Sequence, residues 1–290
     1  MTDSLSTSPS SSSGAFLVLG GTGKTGRRVA ARLRVAGHTV RAASRSGEVR
    51  FDWAERATWE RAVDGAVAVY LVAPDDPAPT GDFVKAAVAA GTRRVVLLSG
   101  RGSDLFDGAS FAAGVTEAER AVRASGVEWS VIRPNNFNQN FDEDLWHRPL
   151  VEGRLALPTG GVPEPFVDLD DVADVAVALL TGEGHHGRTY ELSGPRALTF
   201  AEAVDIVARA AGRPIASVEL TPDEYRAELL ADGWPAEAAE GLNAMFEVMR
   251  TGAVAEPVDG VRRVLGREAT PFETYAVRAA AAGAWAVARP

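Results

Sequence analysis

The 290-residue chain has no cysteine and only two lysines, Lys24 and Lys85, and the rest of its 30 basic residues are arginine. The absence of cysteine excludes disulfides, thiolate nucleophiles and cysteine-ligated zinc or iron–sulfur sites. The scarcity of lysine limits the mechanisms in which an amine can take part. The histidine pair His185 and His186 lies between glycines in a turn without convergent carboxylates, so we predict no metal site.

Long apolar runs and excess positive charge are also lacking. The longest apolar stretch, residues 66–73, is too short to span a bilayer. With 39 acidic residues the net charge is −9, which argues against binding of nucleic acid or an anionic membrane by bulk charge. Residues 1–13 are serine-rich without a secretory signal pattern, so we predict a disordered tail. We therefore expect a cytoplasmic protein that acts on a small molecule, as a monomer or small homo-oligomer.

Short apolar runs alternate with helical patterns in the first half of the chain. Strands are predicted at residues 15–19, 39–43, 49–51, 66–72, 94–99 and 129–133, with helices at 25–36, 58–63, 82–90 and 115–125. This alternation predicts an α/β fold with a Rossmann-type, doubly wound parallel sheet. We assign residues 14–134 to a dinucleotide-binding domain.

Beyond Pro134 the sequence becomes richer in turns. Helices are predicted at residues 171–180, 200–211, 222–231 and 236–250, and a short strand at 189–192. Residues 135–290 are therefore predicted to form a smaller, mostly helical substrate lobe, interleaved with the end of the sheet and covering its C-terminal edge.

A glycine-rich turn joins the first predicted strand to the first helix. Gly20 permits a tight turn, Gly23 lets the backbone approach a pyrophosphate, and Gly26 lets the helix pack closely on the strand. The free N–H groups of the helix N-terminus would face the phosphates. A P-loop is excluded because it requires glycine at position 18, which is valine.

The end of the second strand predicts which dinucleotide binds. NAD-specific sites place an acid there for the ribose hydroxyls, whereas this segment has none before Glu48. A guanidinium can instead pair with a 2′-phosphate. We therefore assign the phosphate clamp to Arg45, helped by Ser44, and predict NADP(H) as the cofactor.

The acid–base pair of common ketoreductases is missing. Those enzymes use a tyrosine with a lysine four residues later, and no tyrosine of this chain has that lysine. A run of amides from Asn135 to Asn140 follows a strand end, where ligands bind in open α/β sheets. It could orient a substrate, or it could be a turn rich in local hydrogen bonds.

Several stretches together resemble the NmrA-like family of atypical short-chain dehydrogenases. They include FLVLGGTGKTG at 16–26, VRAASR at 40–45, RRVVLLSGRG at 93–102, EAERAVRASGVEWSVIRPNNFNQNF at 117–141 and GRTYELSGPRALTF at 187–200. The resemblance implies a Rossmann domain with NADP(H) in a cleft beside a small C-terminal lobe. Some relatives keep a lysine at the position that here is Val115, so acid–base assistance from that position is not expected.

The resemblance also implies a set of site residues. The cofactor positions of the family fall on Gly20, Thr22, Gly23, Lys24, Thr25 and Arg45, with Asp52 and Trp53 near the adenine, Ala73 and Pro74 beside the ribose, and Ser99, Pro134, Asn135, Asn136 and Phe137 near the nicotinamide.

Our first hypothesis is an NADPH-dependent reductase of an activated planar acceptor such as a quinone, an enone or an iminium. Such acceptors are already electrophilic, so a site that mainly orients the cofactor and substrate would suit them. Ser99 and Asn136 are the candidate orienting donors. Two alternatives stay open: an NADP(H)-binding redox sensor acting on a protein partner, and a tailoring enzyme for coupling or cyclisation without net hydride transfer.

Overall fold

A computed structural model describes residues 14–106 and 112–287. The predicted disordered tail, residues 1–13, lies outside them. The elements follow along the chain as β1 (Ala15–Leu19), α1 (Lys24–Val35), β2 (Val40–Ser44), β3 (Val49–Arg50), α2 (Ala57–Val63), β4 (Ala66–Val72), α3 (Thr80–Ala89), β5 (Arg94–Leu98), α4 (Ala113–Arg123), β6 (Glu128–Pro134), α5 (His147–Glu152), β7 (Arg154–Leu157), α6 (Leu169–Thr181), β8 (Arg188–Leu192), α7 (Phe200–Ala211), β9 (Ala216–Glu219), α8 (Pro222–Ala231), α9 (Ala236–Arg250), α10 (Gly260–Leu265) and α11 (Phe272–Ala281).

Seven strands form one parallel sheet in the order β3-β2-β1-β4-β5-β6-β8. The strand order reverses between β1 and β4, which is the switch point of a doubly wound sheet. The predicted α/β, Rossmann-type fold is therefore confirmed. Because parallel strands all end at one edge, the segments after β1, β2, β4, β5 and β6 meet there.

Helices cover both faces of the sheet, and the strand residues alternate between them. Val18 and Tyr70 pack in the cluster formed with α1 and α6, whereas Leu17 and Leu71 pack in the cluster formed with α2, α3 and α4. Because the sheet is buried on both faces, the sequences of these strands are continuous apolar runs and do not alternate between apolar and polar residues.

The second half of the chain both completes the sheet and builds a separate core. Strand β8 pairs with β6, and α6 packs against α1. Helix α10 packs against α6 and β8. Helices α5, α7, α8, α9 and α11 surround an aromatic cluster that contains Phe141, Trp146, Phe166, Phe200, Phe246, Phe272 and Trp285. Strands β7 and β9 form a second, two-stranded parallel sheet. None of the described helices is long and apolar enough to cross a membrane.

The predicted strands and helices of residues 14–134 agree with the structure within two residues at each end, and α7, α8 and α9 agree fully. The sequence did not predict α5, β7, β9, α10 and α11. Strand β9 is largely exposed, so it carries no apolar pattern, while β7, α5 and α10 are only four to six residues long. Helix α11 begins directly after Pro271, a start signal that could have revealed it.

Candidate active site

The turn between β1 and α1 requires glycine for steric reasons. Gly20 adopts a left-handed φ of +64°, and the N–H of Gly23 donates to its carbonyl at 2.8 Å. A Cβ on Gly26 would lie 2.2 Å from the same carbonyl oxygen, so only glycine allows α1 to approach β1 this closely. The turn therefore brings the N-terminus of α1 to the C-terminal edge of the sheet.

That helix N-terminus carries uncompensated positive potential. Gly23 is the N-cap residue, no side chain caps the helix, and no acidic residue lies in its first turn. The aligned peptide dipoles give a helix start about half a positive charge, which favours an anion. Thr25 and Gly26 are buried beneath the turn and line neither of the two cavities described below.

A cavity of about 820 Å³, the glycine-loop cavity, runs over the ends of β1, β2 and β4. The predicted residues that it brings together are Gly20, Thr22, Gly23, Ser44, Arg45, Asp52, Trp53, Ala73 and Pro74. Sequence reasoning missed Arg56, which also lines it and lies 5.2 Å from the ring of Trp59.

Beside β2, the lining of this cavity carries a guanidinium and hydroxyl groups. Arg45 is exposed and has no ion pair within the described part of the chain, and the hydroxyl of Thr22 donates to that of Ser44 at 3.1 Å. The carboxylate of Asp52 accepts the backbone N–H of Ala54 at 3.0 Å and so closes a local turn. Trp53 packs edge-on against Phe51 and Phe83, which fixes an aromatic wall.

A second cavity of about 400 Å³, the substrate cavity, lies beyond the glycine loop at the ends of β5 and β6. The predicted residues in its lining are Lys24, Ser99, Pro134, Asn135, Asn136 and Phe137. Sequence reasoning missed the lining residues Arg101, Glu164, Met245, Val248, Met249 and Val254. Met245, Val248 and Met249 lie on one face of α9. Arg101, Glu164 and α9 come from segments far apart in sequence, and no local pattern marks these segments as neighbours.

Lys24 points into the substrate cavity rather than along the glycine-loop cavity. Its Nζ donates to Asn140 Oδ1 at 2.8 Å, forms an ion pair with Asp144 and lies 5.7 Å from the ring centre of Phe137. The side chain therefore links the start of α1 to the segment that follows β6. The expectation that Lys24 contacts the cofactor stays a prediction.

Ser99 belongs to a buried network beneath the substrate cavity. Its hydroxyl donates to Glu119 Oε1 at 2.8 Å, and the same carboxylate receives Arg133 at 2.8 and 2.9 Å and Arg123 at 2.9 Å. Burial alone would raise the pKa of Glu119, but the hydrogen bonds from Arg133, Arg123 and Ser99 outweigh it and hold the pKa at about 2. Because the Ser99 hydroxyl donates its proton to Glu119, its oxygen can only accept a hydrogen bond from a ligand.

The two asparagines differ in how much hydrogen-bonding capacity they retain. The Asn135 side chain donates to Glu164 and to the carbonyl of Val254, and it accepts from Arg101. The Asn136 side chain hydrogen-bonds to Glu164 and lies 3.5 Å from the sulfur of Met249. Asn135 is therefore the more fully hydrogen-bonded of the two.

Glu164 is the most deeply buried ionisable residue of the cavity lining that the structure describes, with 2% of its surface exposed. Its Oε1 accepts from Asn135 Nδ2 at 2.8 Å and from the Asn136 backbone N–H at 3.2 Å. All four tyrosines lie in the described part of the chain, and none lines either cavity. No metal-binding group of three or more acidic or histidine side chains occurs within residues 14–106 and 112–287.

A doubly wound parallel sheet whose first strand runs through a glycine turn into a helix defines a Rossmann-type α/β protein. The chain matches the model of the NmrA-like family over residues 12–276, and it belongs to that family.

The chain is similar to two named reductases in sequence and to one solved structure in fold. A (4-alkanoyl-5-oxo-2,5-dihydrofuran-3-yl)methyl phosphate reductase of Streptomyces griseus is 39% identical, covering 92% of this chain and 98% of that protein. An NAD(P)H azoreductase of Xenophilus azovorans is 30% identical, with coverages of 92% and 98%. The structure of Citrobacter sp. triphenylmethane reductase complexed with NADP(H) has a TM-score of 0.71 at 19% identity, covering 92% of this chain and 99% of that one.

Proposed function

We propose that this protein is an NADPH-dependent reductase of a planar, conjugated acceptor. The observation that carries the proposal is the pair of neighbouring cavities, because Gly23 lines the glycine-loop cavity and the adjacent Lys24 lines the substrate cavity. A dinucleotide laid along the first cavity would present its nicotinamide at the second. When bound, NADPH supplies the hydride.

The residues of the glycine-loop cavity fit such a dinucleotide. The start of α1 suits the pyrophosphate. The guanidinium of Arg45, which has no ion pair among residues 14–106 and 112–287, suits a 2′-phosphate, since the end of β2 carries no acid. Trp53 offers an aromatic surface near the adenine. The aromatic ring of Phe137 and the side-chain amide of Asn136 would hold the acceptor against the nicotinamide.

The acceptor class follows from the lining of the substrate cavity and from the relatives. Met245, Val248 and Met249 give it an apolar wall that suits a flat, conjugated molecule. The Streptomyces relative is named for a 5-oxo-2,5-dihydrofuran, in which the ring double bond is conjugated with the carbonyl, and the Xenophilus relative for an azo compound. Both names support an acceptor that is activated before it binds.

The cofactor assignment is tested by Arg45→Gln. A charge-assisted hydrogen bond to phosphate contributes about 1.5–3 kcal/mol, so we expect the Kd for NADPH to rise roughly ten- to a hundredfold while the Kd for NADH stays unchanged. Arg148→Gln, at an arginine on α5 that lines neither cavity, is the matched control. Tighter binding of NADH than of NADPH by the unaltered protein would overturn the assignment.

The reaction is tested by following NADPH oxidation with an enone, a quinone, an iminium and an unactivated ketone. We expect turnover with the activated acceptors only. Turnover with the ketone alone would contradict the proposal. Tight NADPH binding without turnover of any acceptor would favour the redox sensor, and conversion of a substrate without NADPH consumption would favour the tailoring enzyme.

A further inference from the structure

We propose that Glu164 is the proton donor of the reaction, delivering a proton from its carboxyl group to the acceptor in the substrate cavity. This inference rests on the proposed reductase function, and it supplies the acid that the absence of a tyrosine–lysine pair leaves unassigned.

The position of Glu164 is fixed by its backbone and by its side chain. Its N–H donates to the carbonyl of Leu198 at 2.8 Å, and its carbonyl accepts from the N–H of Leu198 at 3.0 Å. Asn135 Nδ2 and the Asn136 backbone N–H both donate to Oε1, and the Asn136 side chain also hydrogen-bonds to the carboxyl. With two donors on Oε1, we assign the proton to Oε2. The carboxyl thus lies directly beside Asn136, the residue placed to orient the acceptor.

The surroundings of the carboxyl favour its protonated form. Burial raises the pKa of Glu164 above its ordinary 4.5, while the hydrogen bonds from Asn135 and Asn136 and the charge of Arg101 lower it to a smaller extent. The charge of Arg101 is itself shared with Glu191 at 3.3 Å. The raised pKa favours the protonated form of this carboxyl at the cavity wall, and that form is the one able to act as an acid.

The other ionisable groups of the described lining are less suited to this role. Arg101 does not give up its proton near neutral pH. Lys24 and Asp144 are engaged with each other in an ion pair. The hydroxyl of Ser99 is committed to Glu119.

The step balances without a further reactant. Hydride addition to the electrophilic carbon of an enone or quinone moves the π electron pair to the far end of the conjugated system. That atom forms a bond to the proton of Glu164 Oε2, and the O–H bond breaks to leave a carboxylate. Water entering after product release returns the proton.

Two acceptors separate proton donation from a structural role. An enone or a quinone needs a hydride and a proton, whereas a cationic triphenylmethane dye needs only the hydride, because hydride addition neutralises its central carbon. General acid catalysis contributes about 10²–10⁴-fold. For Glu164→Gln, which keeps the Oε1 acceptor, we expect kcat with the enone or quinone to fall roughly a hundredfold or more, and kcat with the dye to change less than about threefold.

Asp171→Asn is the matched control, since it removes a buried carboxylate of α6 that lines neither cavity. We expect it to affect both acceptors equally. Equal losses with both acceptors for Glu164→Gln would overturn the proposal. For the unaltered protein, kcat with the enone should decline as pH rises through the pKa of Glu164, and Glu164→Gln should abolish this decline.

The pH dependence of stability gives a readout independent of turnover. Because the pKa of Glu164 is raised in the folded protein, its protonation contributes stability that is fully present below about pH 4.5 and is lost as pH rises through the folded pKa. As pH rises through this window, the unfolding free energy of the unaltered protein should therefore decrease relative to that of Glu164→Gln. A difference in unfolding free energy between the two proteins that stays constant with pH would show that Glu164 is not protonated in the folded protein, and it would overturn the proposal. Failure of the unaltered protein to oxidise NADPH with any acceptor would instead reject the reductase function.

Discussion

At the residue scale, Glu119 and Glu164 are two buried carboxyl groups close to one cavity, and their pKa values are shifted in opposite directions. Glu119 accepts hydrogen bonds from two arginines and a hydroxyl, and its pKa is about 2. Glu164 accepts hydrogen bonds from amide groups, and its pKa is raised by burial. Opposite environments therefore keep Glu119 charged at neutral pH and favour the protonated form of Glu164. The charged one joins α4 to β6 through Arg133 and so fixes the strand that leads into Pro134.

The charged state of Glu119 predicts an acid-dependent loss of stability. Its folded pKa lies below the ordinary 4.5, so its contribution is present above about pH 4.5 and is lost as pH falls toward 2. The shift corresponds to roughly 3 kcal/mol. We expect Glu119→Gln to lower the unfolding free energy by about that amount at pH 7, with the difference shrinking below pH 4.5 in denaturant titrations. Glu152→Gln, at an exposed position of α5, is the control and should leave the unfolding free energy at pH 7 nearly unchanged.

At the element scale, the glycine turn and helix α1 act as one unit. The carbonyl of Gly20 is approached by the N–H of Gly23 and by the Cα of Gly26, so the turn and the helix start cannot move independently. This coupling explains why a pattern of three glycines, rather than any single one, predicts the position of the helix N-terminus.

Gly26→Ala tests this coupling. The added Cβ meets the Gly20 carbonyl at 2.2 Å, and since backbone must shift, we expect a loss of about 1–3 kcal/mol in unfolding free energy together with weaker NADPH binding. Gly241→Ala in α9 is the control, because its Cβ would meet nothing within 4 Å. There alanine should stabilise the helix by up to about 1 kcal/mol. Equal effects of the two substitutions in unfolding and in fluorescence titration would contradict the role of the turn.

At the scale of the whole molecule, the sheet depends on both halves of the chain. Strand β8 covers the edge of β6, and α6 packs on α1, where Arg32 pairs with Asp170 at 2.7 Å and with Asp174 at 2.6 Å. The substrate cavity likewise takes walls from residues before and after Pro134. The two predicted domains therefore share one sheet and one cavity.

A fragment of residues 14–134 tests whether the predicted first domain folds alone. Without α6 and β8, the apolar sheet face around Val18 and Tyr70 would be exposed to water and β6 would become an open edge. We expect the fragment to aggregate or to unfold without a cooperative transition, as judged by size-exclusion chromatography and circular dichroism. A soluble fragment with cooperative unfolding and NADPH binding would show that the domain is autonomous.

The sequence by itself determined the sheet, the glycine turn and the segment Ser44–Arg45 at the end of β2, while the family resemblance added Asp52, Trp53, Ala73 and Pro74. These features are local, because each strand, turn and helix start is encoded within a few residues, and a parallel sheet brings strand ends to one edge. Only the tertiary structure decided which way Lys24 points, that Ser99 is bound to Glu119, and that Glu164 lies beside Asn136. Those relations join segments 20 to 116 residues apart in the chain. They depend on how distant segments pack, a property that no local pattern encodes.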